Sequence, residues 1–260
     1  MADLAELGWT RFAFDPALAR WAEHAETAAV RAENDPDNAE WLRCGGTWFV
    51  GVNALPNDAT GQLPGGPPLT GAAIEAAHRL SGGAPLDRAQ ASVCYPDYPR
   101  QGDDESDSAF VYRRDRDAAH VDGLHRIMPG RRRRLLERHA YILGLPLNDA
   151  PSGAAPFVVW EGSHKIMQAA FVRRFEGVAP ERWADEDVTE AYQAARRDVF
   201  ATCERVEIAA RPGEAFLTHR HVLHGVGPWR ADTGATRRAI AYFRPEFAAP
   251  PEASDWLTAL

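Results

Sequence analysis

Two short histidine-bearing stretches hold the residues best suited to chemistry. One is His120-Val-Asp122-Gly123, and the other is Thr218-His219-Arg220-His221-Val-Leu-His224-Gly225. On an extended strand, side chains two residues apart share a face, so His120 and Asp122 would present an imidazole and a carboxylate side by side. A second imidazole from a distant strand would complete a 2-His-1-carboxylate face. Such a face leaves about three metal positions open and suits non-haem Fe(II) oxygen chemistry. His-x-Asp alone has little specificity, and His219, His221 and His224 are all candidates for the third ligand by residue type. On a continuous strand His219 and His221 would share one face and His224 would take the other.

The elements that must position these residues are short strands separated by turns. Ala89–Tyr95, Ser108–Tyr112, His139–Leu147, Pro156–Trp160, Arg205–Ala209, Ala215–Thr218 and Arg238–Phe243 all read as strands. Asn148-Asp149, Ser152-Gly153, Pro212-Gly213 and Gly225–Pro228 supply turn signals between some of them. Many short strands with such turns predict a sandwich or barrel. Before them, Asp15-Pro16 reads as an N-cap followed by proline at the first helical position, with Leu18, Trp21, Ala22, Ala25 and Ala28 on one face. Thr47–Val52 reads as a strand and Thr70–His78 as a short helix. Residues 165–203 interrupt the strand series, with a helix expected over Thr189–Val199. Neither an internal repeat nor a clear linker is visible, so a single domain over 1–260 is expected.

Composition narrows the class. The chain has 260 residues, 29 basic against 37 acidic, for a net charge of −8. That balance argues against general nucleic-acid binding, and no run of about 18 apolar residues predicts a membrane span. Cys44, Cys94 and Cys203 are odd in number and far apart, which suggests neither a disulfide framework nor a cysteine zinc site. The first residues read neither as a secretory signal nor as a basic transit peptide, so a cytoplasmic location is expected. Lys165 is the single lysine among the 29 basic residues, which reads as the coding bias of a GC-rich, bacterial genome and lowers the meaning of arginine runs.

The segment order resembles the phytanoyl-CoA dioxygenase-like family of Fe(II)/2-oxoglutarate-dependent oxygenases. The order is His120-Val-Asp122, then Gly162-Ser163-His164-Lys165, then Arg211-Pro-Gly-Glu, then His224-Gly225, then Arg237-Arg238-Ala239. The resemblance covers roughly residues 88–247 and leaves 1–87 as an N-terminal helical and strand elaboration. It implies a mainly β chain with flanking helices, folded as a double-stranded β-helix (a jelly roll, cupin-like). It also implies His120, Asp122 and His224 as metal ligands for Fe(II), 2-oxoglutarate as cosubstrate, O2 as oxidant, and succinate and CO2 as products. The family comparison puts the cosubstrate anchor at Arg237, with Arg238 as the alternative. An arginine suits that task because its planar fork binds a carboxylate through two hydrogen bonds. Val226 and Trp229 depart from the residues the family often carries after the distal ligand.

Other features take structural or pocket roles. Tyr112, Trp160 and Trp229 are expected to line the pocket. Arg131–Arg134 reads as a solvated surface run, with contact to an anionic substrate as the alternative, and Asp103–Asp107 reads as a loop over the site. His164 reads as part of a structural turn. The partner expected is a small-molecule substrate, with no nucleic acid and no membrane; its identity, the type of oxidation and the oligomeric state stay open. Two other readings compete: a cupin-like metalloenzyme that does not use 2-oxoglutarate, and a non-catalytic jelly-roll binding module.

Overall fold

The computed structural model describes residues 2–230, 234–247 and 255–258. The chain begins with a short helix, α1 (Ala2–Leu7), and a strand, β1 (Trp9–Phe12). The Asp15 carboxylate then accepts from the Ala17 amide and Pro16 opens the first turn of α2 (Pro16–Glu33), as the capping signal predicts. Two short strands, β2 (Leu42–Arg43) and β3 (Trp48–Phe49), precede α3 (Ala72–Leu80) and β4 (Gln90–Cys94).

Ser108–Tyr112, expected as a strand, lies instead in a helix, α4 (Asp107–Asp115). Phe110, Val111 and Tyr112 favour strands, yet the ends of the segment are written for a helix. Ser106 caps the Ala109 amide, Asp107 sits in the first turn, and Arg113 and Arg114 sit in the last, where they complement the helix dipole. The acidic stretch before it leads into this helix, and Glu105 pairs with Arg113.

The rest of the chain is β5 (Leu124–Ile127), β6 (Arg132–Leu135), β7 (Tyr141–Pro146), β8 (Phe157–Trp160), α5 (Ser163–Phe175), α6 (Thr189–Thr202), β9 (Arg205–Ile208), β10 (Ala215–His219), β11 (His224–Val226), β12 (Arg238–Phe243) and α7 (Asp255–Thr258). Helix α6 matches its expected span closely. Helix α5 was not anticipated: it follows Gly162, whose φ of 77° allows the sharp change of direction from strand to helix. Met167, Phe171 and Phe175 of α5 bury against Tyr192, Ala195 and Val199 of α6 in one cluster.

All strand pairings among the described residues are antiparallel. Seven strands form one sheet in the order β1-β10-β7-β12-β4-β3-β2, and three form a second, β11-β8-β9. Strands β5 and β6 make a separate hairpin. The two main sheets close over a shared core. Ile142, Phe216, Ile240 and Tyr242 from the large sheet meet Phe157, Val159 and Ile208 from the small one. The opposite parity of the large sheet, including Leu143, Leu217, Ala239, Ala241 and Phe243, packs with Trp21, Ala25 and Ala29 of α2 and with Ile74 of α3. Both faces of the large sheet are therefore buried, one inside the barrel and one under helices. This is the jelly-roll architecture. Among the described residues no helix is long and apolar enough to cross a membrane.

Candidate metal centre

The distal histidine is placed by a corner between the sheets. Strand β10 ends at His219 in the large sheet, and β11 starts at His224 in the small one. These histidines therefore do not lie on one continuous strand. His219 stays with the large sheet. His221 is buried against Phe171 and Trp256, with ring centroids 5.5 and 4.3 Å away. His224 emerges opposite His120. The His120 amide donates to the His224 carbonyl at 2.8 Å, and the His224 amide returns the bond at 3.0 Å.

This pairing brings the two imidazole rings to 4.6 Å between centroids. Nδ1 of His120 lies 3.0 Å from the Ala118 carbonyl, and Nδ1 of His224 lies 3.0 Å from the Val222 carbonyl. A carbonyl only accepts, so each Nδ1 donates there, and Nε2 is the ring nitrogen that would take a metal in place of its contact with Asp122. Both Nε2 atoms turn toward Oδ1 of Asp122, at 3.1 Å from His120 and 3.6 Å from His224. One ligand atom from each of the three residues fits within a 4.8 Å span. Backbone carbonyls behind imidazoles are the outer support that metal-binding histidines ordinarily have.

Asp122 is charged there. Its other oxygen meets Nη1 of Arg244 at 3.3 Å. Burial alone would raise its pKa, but the Arg244 guanidinium and the two imidazoles outweigh it and hold the carboxyl well below the usual range. Exposure orients the centre. The side chains of His224 and Asp122 are 5% and 8% exposed, against 42% for His120, so the site opens at His120. Three cavities meet at that residue. The smallest, about 160 Å³, runs into the barrel between Trp48, Ser92, Phe157 and Tyr242. One of about 810 Å³ lies toward Asp87, Glu137 and His139, and one of about 630 Å³ lies toward Tyr112 and α6.

The two candidate arginines face opposite ways. Arg238 shares the inward parity of Ile240 and Tyr242 and is buried, with neither Nη1 nor Nη2 hydrogen-bonded. Arg237 points out of the barrel to α2, where it pairs with Glu26 and, at 3.3 Å, with Glu33. The preference for Arg237 as a group facing the site is therefore corrected: helix carboxylates already occupy it. The amide of Asn148 brackets this pair, donating to the Arg237 carbonyl at 3.0 Å and accepting from the Ala239 amide at 2.7 Å.

Of the expected pocket aromatics, Tyr112 lines the cavity toward α6. Trp160 does not reach the site; it is buried in the α5–α6 cluster, edge-on to Phe200. Trp229 packs beside Cys94, Tyr98 and Val226 and lines none of the three cavities. His164 lies 3.2 Å from the Ala5 carbonyl and takes no part in the centre. The Arg131–Arg134 run is only partly a solvated surface. Arg132 pairs with Asp187 and Glu190, whereas Arg131 and Arg133 line a cavity beside His120. Sequence reading missed Arg244 and Trp48. Arg244 continues the parity of Arg238, Ile240 and Tyr242 one step past β12, which was the available signal.

Comparison with solved structures then places the architecture. The non-heme alpha ketoglutarate dependent carbocyclase SnoK from nogalamycin biosynthesis superposes with a TM-score of 0.50 at 12% identity, over 96% of this chain and 86% of SnoK. The two chains share a fold. The epimerase SnoN from nogalamycin biosynthesis has a TM-score of 0.49 at 15% identity, over 94% of this chain and 80% of that one. EctD from S. alaskensis with bound Fe has a TM-score of 0.45 at 14% identity, over 94% and 74%. No family model and no curated protein matches the sequence.

Proposed function

We propose that this chain is an Fe(II)- and 2-oxoglutarate-dependent oxygenase acting on a small molecule. The observation that carries the reading is the convergence of His120 Nε2, Asp122 Oδ1 and His224 Nε2, with Nδ1 of each imidazole engaged by a backbone carbonyl. Two neutral imidazoles and one carboxylate suit Fe(II) and leave positions for a chelating oxo acid and O2. The donor set fits that metal. Iron bound there, with 2-oxoglutarate and O2, supplies the oxidising power, and succinate and CO2 leave as products.

The chain's own residues bind and orient. Arg238, a buried cation with two unpaired nitrogens inside the barrel, suits the far carboxylate of 2-oxoglutarate. Arg244 steadies the Asp122 oxygen that faces away from the imidazoles. Phe157, stacked on His224 at 5.5 Å, and Trp48 exclude water from the inner cavity. The product is a hydroxylated molecule or that of another oxidation, since the fold is shared with SnoK, described as a carbocyclase.

The test is an anaerobic titration with Fe(II) and 2-oxoglutarate, followed by the weak visible charge-transfer band of the chelate. The band should require both components and vanish in His224→Ala. Iron binding without a band would instead favour a metalloenzyme that does not use 2-oxoglutarate, and no metal binding would leave a binding module.

A further inference from the structure

The cavity of about 630 Å³ on the α6 side of His120 has a wall rich in arginine and free of carboxylates: Arg113, Arg126, Arg131, Arg133 and Arg196 all line it. Glu105 neutralises Arg113 at 2.9 Å. The other four have no carboxylate partner among the described residues. Arg133 donates to the Leu124 carbonyl at 3.0 Å and lies over the Tyr192 ring, and Arg196 lies over the rings of Tyr112 and Tyr192. Arg132, one residue away on the same strand, takes both Asp187 and Glu190 on the outside. The local acids thus serve the surface, and the cavity keeps its positive charge.

That charge is felt within the cluster. Burial and then the cations of Arg133, Arg131 and Arg196 push the pKa of Arg126 down. In a chain of net charge −8 this cavity is a local reversal of sign, and it opens on the exposed edge of His120. Guanidiniums gathered in one cavity without carboxylate partners are unfavourable until an anion lies among them.

We propose that this cavity holds a phosphoryl group of the substrate, gripped by Arg126, Arg131, Arg133 and Arg196, with the carbon to be oxidised facing His120. This substrate class rests on the oxygenase reading. A carboxylate offers two coplanar oxygens and is satisfied by one guanidinium fork, whereas a phosphoryl group offers three terminal oxygens in a pyramid that several guanidiniums reach from different sides. The cavity is of the size that encloses small ligands. The substrate is therefore a compact phosphorylated molecule.

Calorimetric titration of the whole iron-free chain with inorganic pyrophosphate tests the site, with tricarballylate as a carboxylate probe of similar charge. Pyrophosphate should bind once per chain and at least about tenfold more tightly than tricarballylate. Arg126→Gln and Arg131→Gln, both at exposed positions, should each weaken it severalfold, and together at least about tenfold, with unchanged thermal melting. Arg31→Gln, on an exposed position of α2, should leave it unchanged. Absence of pyrophosphate binding, equal binding of tricarballylate, or indifference to both cavity variants overturns the proposal. Because the titration needs no iron, a chelate band without pyrophosphate binding strikes this proposal alone. Pyrophosphate binding without a band strikes the oxygenase reading instead.

Discussion

Gly225 lies directly against the backbone of Asp117, so that a Cβ at 225 would collide with the Asp117 carbonyl oxygen. That same oxygen accepts from the Val226 amide at 3.1 Å. The glycine after the distal histidine thus lets β11 approach the segment that delivers His120. Gly225→Ala should cost about 1–3 kcal/mol through overpacking and weaken iron binding as His120 and His224 are forced apart. Melting temperature and iron affinity, measured together, check it; unchanged values for both would remove the close approach from the argument.

His120→Ala, Asp122→Ala and His224→Ala should each reduce iron-dependent succinate formation to background while the chain stays folded. Succinate is quantified with purified variants of normal melting temperature. Normal turnover in any of the three removes that residue from the ligand set.

Arg238 and Arg237 should separate binding from stability. Arg238→Ala should weaken 2-oxoglutarate at least about tenfold, the loss of a charge-assisted pair. Arg237→Ala should leave that affinity unchanged but strand Glu26 and Glu33 beside each other, at a cost of about 1–3 kcal/mol. Cosubstrate titration and denaturant melts read the two effects; the reverse pattern would restore Arg237 as the anchor.

Arg244→Ala should lower iron affinity by about 10–100-fold, as expected when the outer support of a ligating carboxylate is removed. Competition with a metal-sensitive dye measures it. An unchanged affinity would make the Asp122–Arg244 contact a feature of packing alone.

Glu207, outside the candidate metal cluster, gives a pH dependence of its own. Hydrogen bonds from Arg230, and then Arg205, overcome burial and lower its pKa from 4.5 to about 2. Below the unfolded value the unfolded chain takes up the proton first, so the stabilisation is present above about pH 4.5 and disappears as pH falls toward 2. Glu207→Gln should flatten the acid limb of the stability curve over that interval and lower stability at neutral pH by about 1–3 kcal/mol. Melts from neutral to acid pH test the sign.

The candidate metal cluster was legible from His-x-Asp at two-residue spacing, joined to His224-Gly225 by the order of segments that the family resemblance supplies. The cap at Asp15 was legible because its signal is local. The arginine choice was not. Period two separates Arg237 from Arg238, but Ala239, Ala241 and Phe243 are as apolar as Ile240 and Tyr242, since helices cover the outer face of the sheet. Nothing in the pattern says which parity is inside. Helix α4 was missed because its middle favours strands and only its ends declare a helix. The arginine-lined cavity draws on α4, β5, β6 and α6, which come together only in the folded chain.

The Asn148 bracket holds the main chain where β12 enters the barrel. Slipping β12 by one residue would still bring an arginine into the interior and leave another for the acids of α2, so charge alone discriminates poorly between the two alignments. The side-chain amide of Asn148 recognises one carbonyl and one N–H on either side of residue 238. It reads backbone position rather than side-chain identity. In this chain the main chain on either side of the inward-facing Arg238 is thus clamped by a neutral side chain.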